Sequence, residues 1–117
     1  APFHCALMQP AADAMAEALA DAEIRTPRTP LITNVTARPE SDPDTIRTQL
    51  VEQVTGKVRW RESVLWMHEN GVTRFAEAGA GKVLTTMLKR TVKEAEGVAL
   101  NTPEDLEAFA KTIKGEG

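Results

Sequence analysis

His4 is the residue whose chemistry and placement argue most directly for a reaction. It stands in Phe3-His4-Cys5-Ala6-Leu7-Met8-Gln9-Pro10, just ahead of a helix expected to open at Gln9-Pro10. An imidazole titrates near ~6.5 when unperturbed, so on a loop at a helix entrance it can serve as a general base. The competing reading is a histidine that caps the adjacent helix or packs in a core, and composition alone favours it. A base also needs a nucleophile. The chain has two serines, Ser41 and Ser63, and neither lies in a Gly-x-Ser-x-Gly turn of the kind that lifts a serine out of the backbone for attack. Cys5 is adjacent to His4, and neighbouring side chains on a loop or strand rarely point at one another, so a small buried thiol is the better reading. With a base and no nucleophile, the chain reads as part of a larger enzyme.

Other candidates carry weaker chemistry. Gly79-Ala80-Gly81-Lys82 follows an expected strand and opens an expected helix, the setting of a phosphate cradle. A nucleotide P-loop would need glycine where Ala76 stands and Ser or Thr where Val83 stands, and a dinucleotide turn would need Gly or Ala in place of Leu84. A tight strand-to-helix turn is therefore preferred. Gln53 is polar among Leu50, Val51 and Val54, either a surface amide or a partner to the His4 region. Lys82, Lys89 and Arg90 concentrate positive charge that could meet an acidic partner or form a solvated face. His68 is expected in solvent at a helix end. His4, Cys5 and His68 make no metal spacing, so no metal is expected.

The elements that must position these residues follow from proline, glycine and hydrophobic spacing. Ala11 to Ala22 is alanine-rich, with Met15 and Leu19 four apart, and predicts a helix. The segment Thr26-Pro27-Arg28-Thr29-Pro30 cannot continue it. Leu31 to Thr36 predicts a β-branched strand, and Arg38 to Ser41 a surface loop. Asp42-Pro43 starts a helix with Ile46, Leu50, Val51 and Val54 on one face and Gly56 at its end. A helix over Trp60 to Glu69 stops at Asn70-Gly71. Val72 to Ala78 predicts a strand, Lys82 to Lys93 a helix, and Gly97 to Leu100 a third strand. Thr102-Pro103 opens a last helix whose apolar face is Leu106, Phe109, Ala110 and Ile113, with Gly115-Glu116-Gly117 a frayed tail. Alternating strands and helices predict an α/β fold with a parallel sheet flanked by helices. Three short strands leave an edge open, a second sign that part of the fold lies elsewhere.

Composition narrows the classes. At 117 residues with 42% apolar content the chain could form one small domain, and 4% aromatics leave the core to Ala, Leu, Val, Ile and Met. A net charge of −3 argues against nucleic acid as a partner. One cysteine rules out an internal disulfide and fits a reducing, cytoplasmic compartment. No apolar run approaches the ~20 residues that span a bilayer, so no membrane association is expected.

Taken together, Phe3-His4-Cys5-Ala6-Leu7-Met8-Gln9-Pro10-Ala11, Asn34-Val35-Thr36, Leu50-Val51-Glu52-Gln53-Val54, Val58-Arg59-Trp60 and Glu77-Ala78-Gly79-Ala80-Gly81-Lys82-Val83-Leu84 resemble the malonyl-CoA:acyl carrier protein transacylases of fatty-acid synthesis. The resemblance implies that residues 1–117 are the C-terminal segment of the large subdomain of an α/β-hydrolase-like acyltransferase core. The nucleophile-bearing part and a ferredoxin-like insert would lie outside the chain. It implies ping-pong transfer of malonyl from malonyl-CoA to the phosphopantetheine thiol of acyl carrier protein, with no cofactor, since the coenzyme A thioester is a substrate. By position, His4 matches the family's base, and Gln53 the glutamine whose backbone carbonyl accepts the other imidazole N–H. Phe3 matches a position that favours malonyl over bulkier methylmalonyl. The serine elbow, the carboxylate-binding arginine and the oxyanion donors of the family are absent from this chain, and Ala80 stands where proline is frequent. The chain alone is therefore expected to be inactive and to expose apolar surface. The alternatives are a segment of a polyketide synthase acyltransferase domain, or a non-catalytic fragment that binds carrier protein through Lys82, Lys89 and Arg90.

Overall fold

Proline and glycine punctuate the chain where its elements begin and end. The computed structural model describes residues 4–116. A 3-10 turn at Ala6–Met8 leads into α1 (Gln9–Ala20), followed by β1 (Leu31–Ile32), β2 (Pro39–Glu40), α2 (Pro43–Thr55), α3 (Trp60–Glu69), β3 (Arg74–Ala78), α4 (Val83–Thr91), β4 (Glu96–Leu100) and α5 (Pro103–Glu116). The chain divides into two compact units, Ala1–Trp66 and Met67–Gly117. No helix among the described residues is long and apolar enough to cross a membrane.

In the first unit α1 packs on α2. Pro10 occupies the first turn of α1, where its missing N–H costs nothing. Asp42 caps α2, accepting from the Thr45 amide at 2.9 Å and its hydroxyl at 2.8 Å. Arg47 reaches from α2 to the exit of α1 and donates to the carbonyls of Leu19 (3.1 Å) and Ala22 (2.9 Å). Gly56 ends α2 in extended geometry, φ −94° and ψ 163°, so it does not supply the left-handed turn that commonly ends a helix. Its value is space: a Cβ there would lie 2.9 Å from the Glu52 carbonyl oxygen.

The strand expected over Leu31–Thr36 is cut short. Only Leu31 and Ile32 are extended, and they pair antiparallel with Glu40 and Pro39, inside the stretch expected to be a loop. Beyond Ile32 the chain turns. Ala37 donates to the Thr33 carbonyl at 2.9 Å, the hydroxyls of Thr33 and Thr36 meet at 2.7 Å, and Ala37 takes φ 56°. Local hydroxyl bonding outcompetes the β-branched preference for a ladder. β1 therefore belongs to a separate antiparallel pair rather than to the parallel sheet.

The second unit is the α/β part. β3 and β4 run parallel in the register Arg74 to Glu96 through Ala78 to Leu100. Side chains alternate across a strand. Gly97 faces α4, with a virtual Cβ 2.8 Å from Leu88 Cδ2 and 3.1 Å from Thr85 Cγ2. Glu96 and Val98 line a cleft with Ala108, Phe109 and Thr112 of α5. Helices therefore cover both faces, as α/β alternation predicts, and Leu88, Val92 and Leu100 form the buried apolar set. The apolar face of α5 is only partly used. Phe109 is half-buried beneath the Arg74 guanidinium, 5.4 Å from its ring centre, while Leu106 and Ile113 are 52% and 50% exposed. Helix α5 continues through Gly115 to Glu116, where a frayed tail was expected.

Candidate functional site

A helix that stops leaves its last carbonyls without intrahelical partners. Helix α2 stops at Thr55, so the Gln53 carbonyl lies in its last turn. The structure brings His4, 49 residues earlier in the chain, to that carbonyl, with Nδ1 at 2.7 Å from the oxygen. A carbonyl can only accept, so Nδ1 carries the proton in this bond. The neutral ring then presents Nε2 as an unprotonated acceptor. The C-terminal end of a helix also carries partial negative charge, complementary to an imidazolium formed when Nε2 takes up a proton.

His4 is exposed and takes φ 56°, the left-handed region that histidine enters more readily than most side chains but still at a cost. Cys5 returns at once to extended geometry, and its carbonyl accepts from Met8 at 2.9 Å, closing the 3-10 turn that feeds α1. The histidine is thus fixed by a strained backbone on one side and by a helix-end carbonyl on the other. Gln53 uses its side chain separately, its Oε1 accepting from Asn34 Nδ2 at 3.3 Å. Phe3, the third residue expected at the site, lies outside the described residues.

Neither serine is presented as a nucleophile. Ser63 is buried, and its hydroxyl donates to the Arg59 carbonyl at 2.9 Å within the first turn of α3. Ser41 lies in the approach to α2, where its amide donates to Glu40 Oε2 at 3.0 Å. His68, in the second unit, is half-buried rather than solvent-exposed, with Nδ1 at 3.3 Å from the Val72 carbonyl oxygen. Among the described residues no three His, Cys, Asp or Glu side chains gather as a metal site.

The glycine turn is not a phosphate cradle. Gly79 and Gly81 take φ 125° and 89°, as a tight strand-to-helix turn requires. The amides at the start of α4 are already engaged by Glu77, whose carboxylate accepts from the Thr85 amide and hydroxyl at 2.8 Å each and from the Leu84 amide at 3.3 Å. The Thr85 amide bond, with smaller help from its hydroxyl and from Leu84, holds this carboxyl below its ordinary value despite some desolvation. An anion would meet a fixed negative charge there. This role of Glu77 was missed in the sequence, although a carboxylate two residues ahead of a glycine turn is a usable signal. Arg47 gave no signal at all. Lys82, Lys89 and Arg90 are exposed on or beside α4, where Lys82, Val83, Thr86, Met87 and Arg90 border one open groove.

No known family profile matches the chain, but individual proteins do. It is 43% identical over 107 residues to the malonyl CoA-acyl carrier protein transacylase of Escherichia coli K12, covering 92% of this chain and 35% of that one. The crystal structure of acyl-carrier-protein-S-malonyltransferase from Bartonella henselae superposes with a TM-score of 0.90 at 48% identity, over 97% of this chain and 36% of that chain. A malonyl-transacylase solved in complex with a type II polyketide acyl-carrier protein superposes at 0.81 with 41% identity, over 90% of this chain and 34% of that chain. The chain is thus a relative of acyltransferases in both sequence and α/β fold. Within that class it matches a segment of the malonyl CoA-acyl carrier protein transacylases, and it spans about a third of the length of the relatives it matches.

Proposed function

We infer that this chain supplies the general base and part of the acyl pocket of a malonyl-CoA:acyl carrier protein transacylase. The observation that carries the reading is the 2.7 Å bond from His4 Nδ1 to the Gln53 carbonyl. That bond selects the tautomer whose Nε2 can accept a proton, the task an aspartate performs in a triad. The helix-end carbonyl suffices because the task is orientation with modest charge stabilisation. Residues 1–117 are then the C-terminal segment of the large subdomain. The serine elbow, the carboxylate-binding arginine and the insert are contributed from outside it.

In this mechanism His4 Nε2 takes the proton of the serine hydroxyl as the serine oxygen bonds to the malonyl thioester carbon. The same proton then goes to the departing coenzyme A sulfur. In the second half, Nε2 takes the proton of the carrier's phosphopantetheine thiol as that sulfur attacks the acyl-serine ester, and returns it to the serine oxygen on release. No cofactor takes part, because coenzyme A enters as part of the substrate. Phe3, which precedes His4 in the sequence, is at the position that in the resemblance favours malonyl over bulkier methylmalonyl. The setting is the cytoplasm, a reducing compartment that a single cysteine fits.

The test is reconstitution. The chain alone should give no malonyl transfer above a no-protein control. Combined with the nucleophile-bearing remainder of a related transacylase, it should restore transfer, and His4→Ala should lower the restored rate by about 10²–10⁴-fold. An unchanged rate would remove His4 from the chemistry. Carrier binding that persists without any transfer would favour a non-catalytic fragment acting through Lys82, Lys89 and Arg90. A polyketide assignment draws support from the relative solved with a polyketide carrier protein, and comparing the two carriers as acceptors separates the readings.

A further inference from the structure

The turn Asn34-Val35-Thr36 stands out in the sequence, yet the mechanism above gives it nothing to do. In the structure it meets the exit of α2 at several points. Asn34 Nδ2 donates to Gln53 Oε1 at 3.3 Å, and the Asn34 carbonyl accepts from the Arg59 amide at 3.0 Å. Val35 Cγ1 lies 3.4 Å from where a Cβ on Gly56 would stand. The Thr36 carbonyl accepts from Arg59 Nη1 at 3.3 Å. The turn is itself fixed by the Thr33–Thr36 hydroxyl bond and by the amide of Ala37 on the Thr33 carbonyl. Asn34 therefore holds the chain on both sides of the point where α2 ends: Gln53 before it and Arg59 after it.

Helix ends fray, and the acceptor for His4 is the carbonyl of the same Gln53. Its direction depends on where the last turn of α2 sits. We propose that Asn34 is a positioning residue for the histidine: by anchoring the Gln53 side chain it aims the Gln53 main-chain carbonyl at His4 Nδ1 and so sets the imidazole tautomer. The proposal rests on the reading of His4 as a base, which gives the tautomer its purpose. It also gives the Gln53 side chain a role, where position alone would leave the backbone carbonyl as its whole contribution.

The test reads the tautomer directly and needs no activity. In the 117-residue chain labelled with ¹⁵N-histidine, the His4 ring nitrogens should report the Nδ1–H form. Asn34→Ala keeps the backbone carbonyl for Arg59 and removes only the amide. It should lower the ratio of Nδ1–H to Nε2–H by about fivefold, the order expected when one hydrogen bond loses its alignment. Gln53→Ala should do the same, and the double variant should do no more than either. Gln53→Glu keeps an acceptor for Asn34 Nδ2 and should preserve the wild-type ratio. His68, in the second unit, is the internal reference and should not move; its shift in Asn34→Ala would mark general loosening and overturn the positioning role. An unchanged His4 ratio in Asn34→Ala would overturn it as well. A wild-type His4 already in the Nε2–H form would instead remove the orienting bond on which the base reading stands, so the two failures are distinguishable.

Discussion

Each of the two units is stabilised internally by different means. The first carries the buried hydroxyls, Thr33 and Ser63, and its buried apolar residues are mostly small: Ala12, Ala37, Ile46 and Val64. Beyond the packing of α1 on α2, its long-range ties are polar: His4 to Gln53, Asn34 to Gln53, and Arg47 to the end of α1. The second unit pairs five residues of β3 with five of β4 and packs Leu88, Val92 and Leu100 around them. The difference matches the task proposed for the first unit. Hydrogen bonds are directional and can aim a carbonyl at a ring nitrogen, whereas apolar packing is non-directional and supplies a stiff support. Volume changes should therefore hurt the second unit most, and loss of single polar groups the first.

The largest effect is expected at Leu88. It is 4% exposed, and Leu88→Ala should cost about 2–5 kcal/mol of stability. Trp60 and Trp66 both lie on the first unit's side of the division, which falls within α3, so tryptophan fluorescence weights the first unit while circular dichroism reports both. The variant should lower the dichroism midpoint in urea well beyond the fluorescence midpoint. An equal shift by both probes would mean the units unfold as one, and the contrast would lose its thermodynamic content. Gly97→Ala should cost about 1–3 kcal/mol, because the new methyl must displace Leu88 Cδ2 from 2.8 Å. Combined with Leu88→Ala, the pair should cost less than the sum of the two, since the smaller side chain clears the space. Strict additivity would show that the methyl is accommodated elsewhere.

Arg47 tests the other side of the contrast. Its guanidinium spans two carbonyls at the exit of α1, and its side chain is 28% exposed. Arg47→Ala should cost about 1–2 kcal/mol, read at the fluorescence midpoint. Arg47→Lys should recover less than half of that, because a single ammonium cannot reproduce the forked geometry. Full recovery by lysine would reduce the contact to charge alone.

The second unit was far more legible in the sequence than the first, for a physical reason. Its signals are local: Asn70-Gly71 ends a helix, Gly79-Ala80-Gly81 turns a strand into a helix, and Thr102-Pro103 opens the last one. Each depends on residues within one turn of itself. The first unit was read well where this held, as at Gln9-Pro10 and Asp42-Pro43. It was misread at Leu31–Thr36, where β-branched residues suggest a strand and threonine hydroxyls close a turn instead. The candidate site follows the same rule. His4 was visible as a residue type and Gln53 was readable either as a surface amide or as its partner; only resemblance to a family decided between these, because nothing local links residues 49 apart. Asn34 was visible as part of a motif, but its partner across the fold was not. The unused face of α5, with Leu106 and Ile113 half exposed, shows that periodicity identifies an amphipathic face without saying what covers it.

The smallest effect expected is on acid sensitivity. Three helices begin at a carboxylate that accepts backbone amides: Asp42 at α2, Glu77 at α4 and Asp105 at α5. All three titrate below their ordinary values. For Asp42 the main cause is the Thr45 hydroxyl and then its amide; for Glu77, the Thr85 amide; for Asp105, the amides of Asn101 and then Thr102. A carboxyl depressed in the folded state adds stability above its unfolded value and loses it as pH falls through the folded one. The loss therefore begins near the ordinary range, about 4, and grows below it. Two of the three caps lie in the second unit, so between pH 5 and pH 3 the dichroism midpoint in urea should fall further than the fluorescence midpoint. Asp42 is exposed and Glu77 and Asp105 are half-buried, so solvent screens all three and the effect should be small. Glu77→Gln keeps an acceptor without the charge and should flatten the acid limb seen by dichroism while leaving the fluorescence limb alone. An acid limb unchanged by Glu77→Gln would mean that α4 is held by its packing on β4 and owes nothing measurable to its cap.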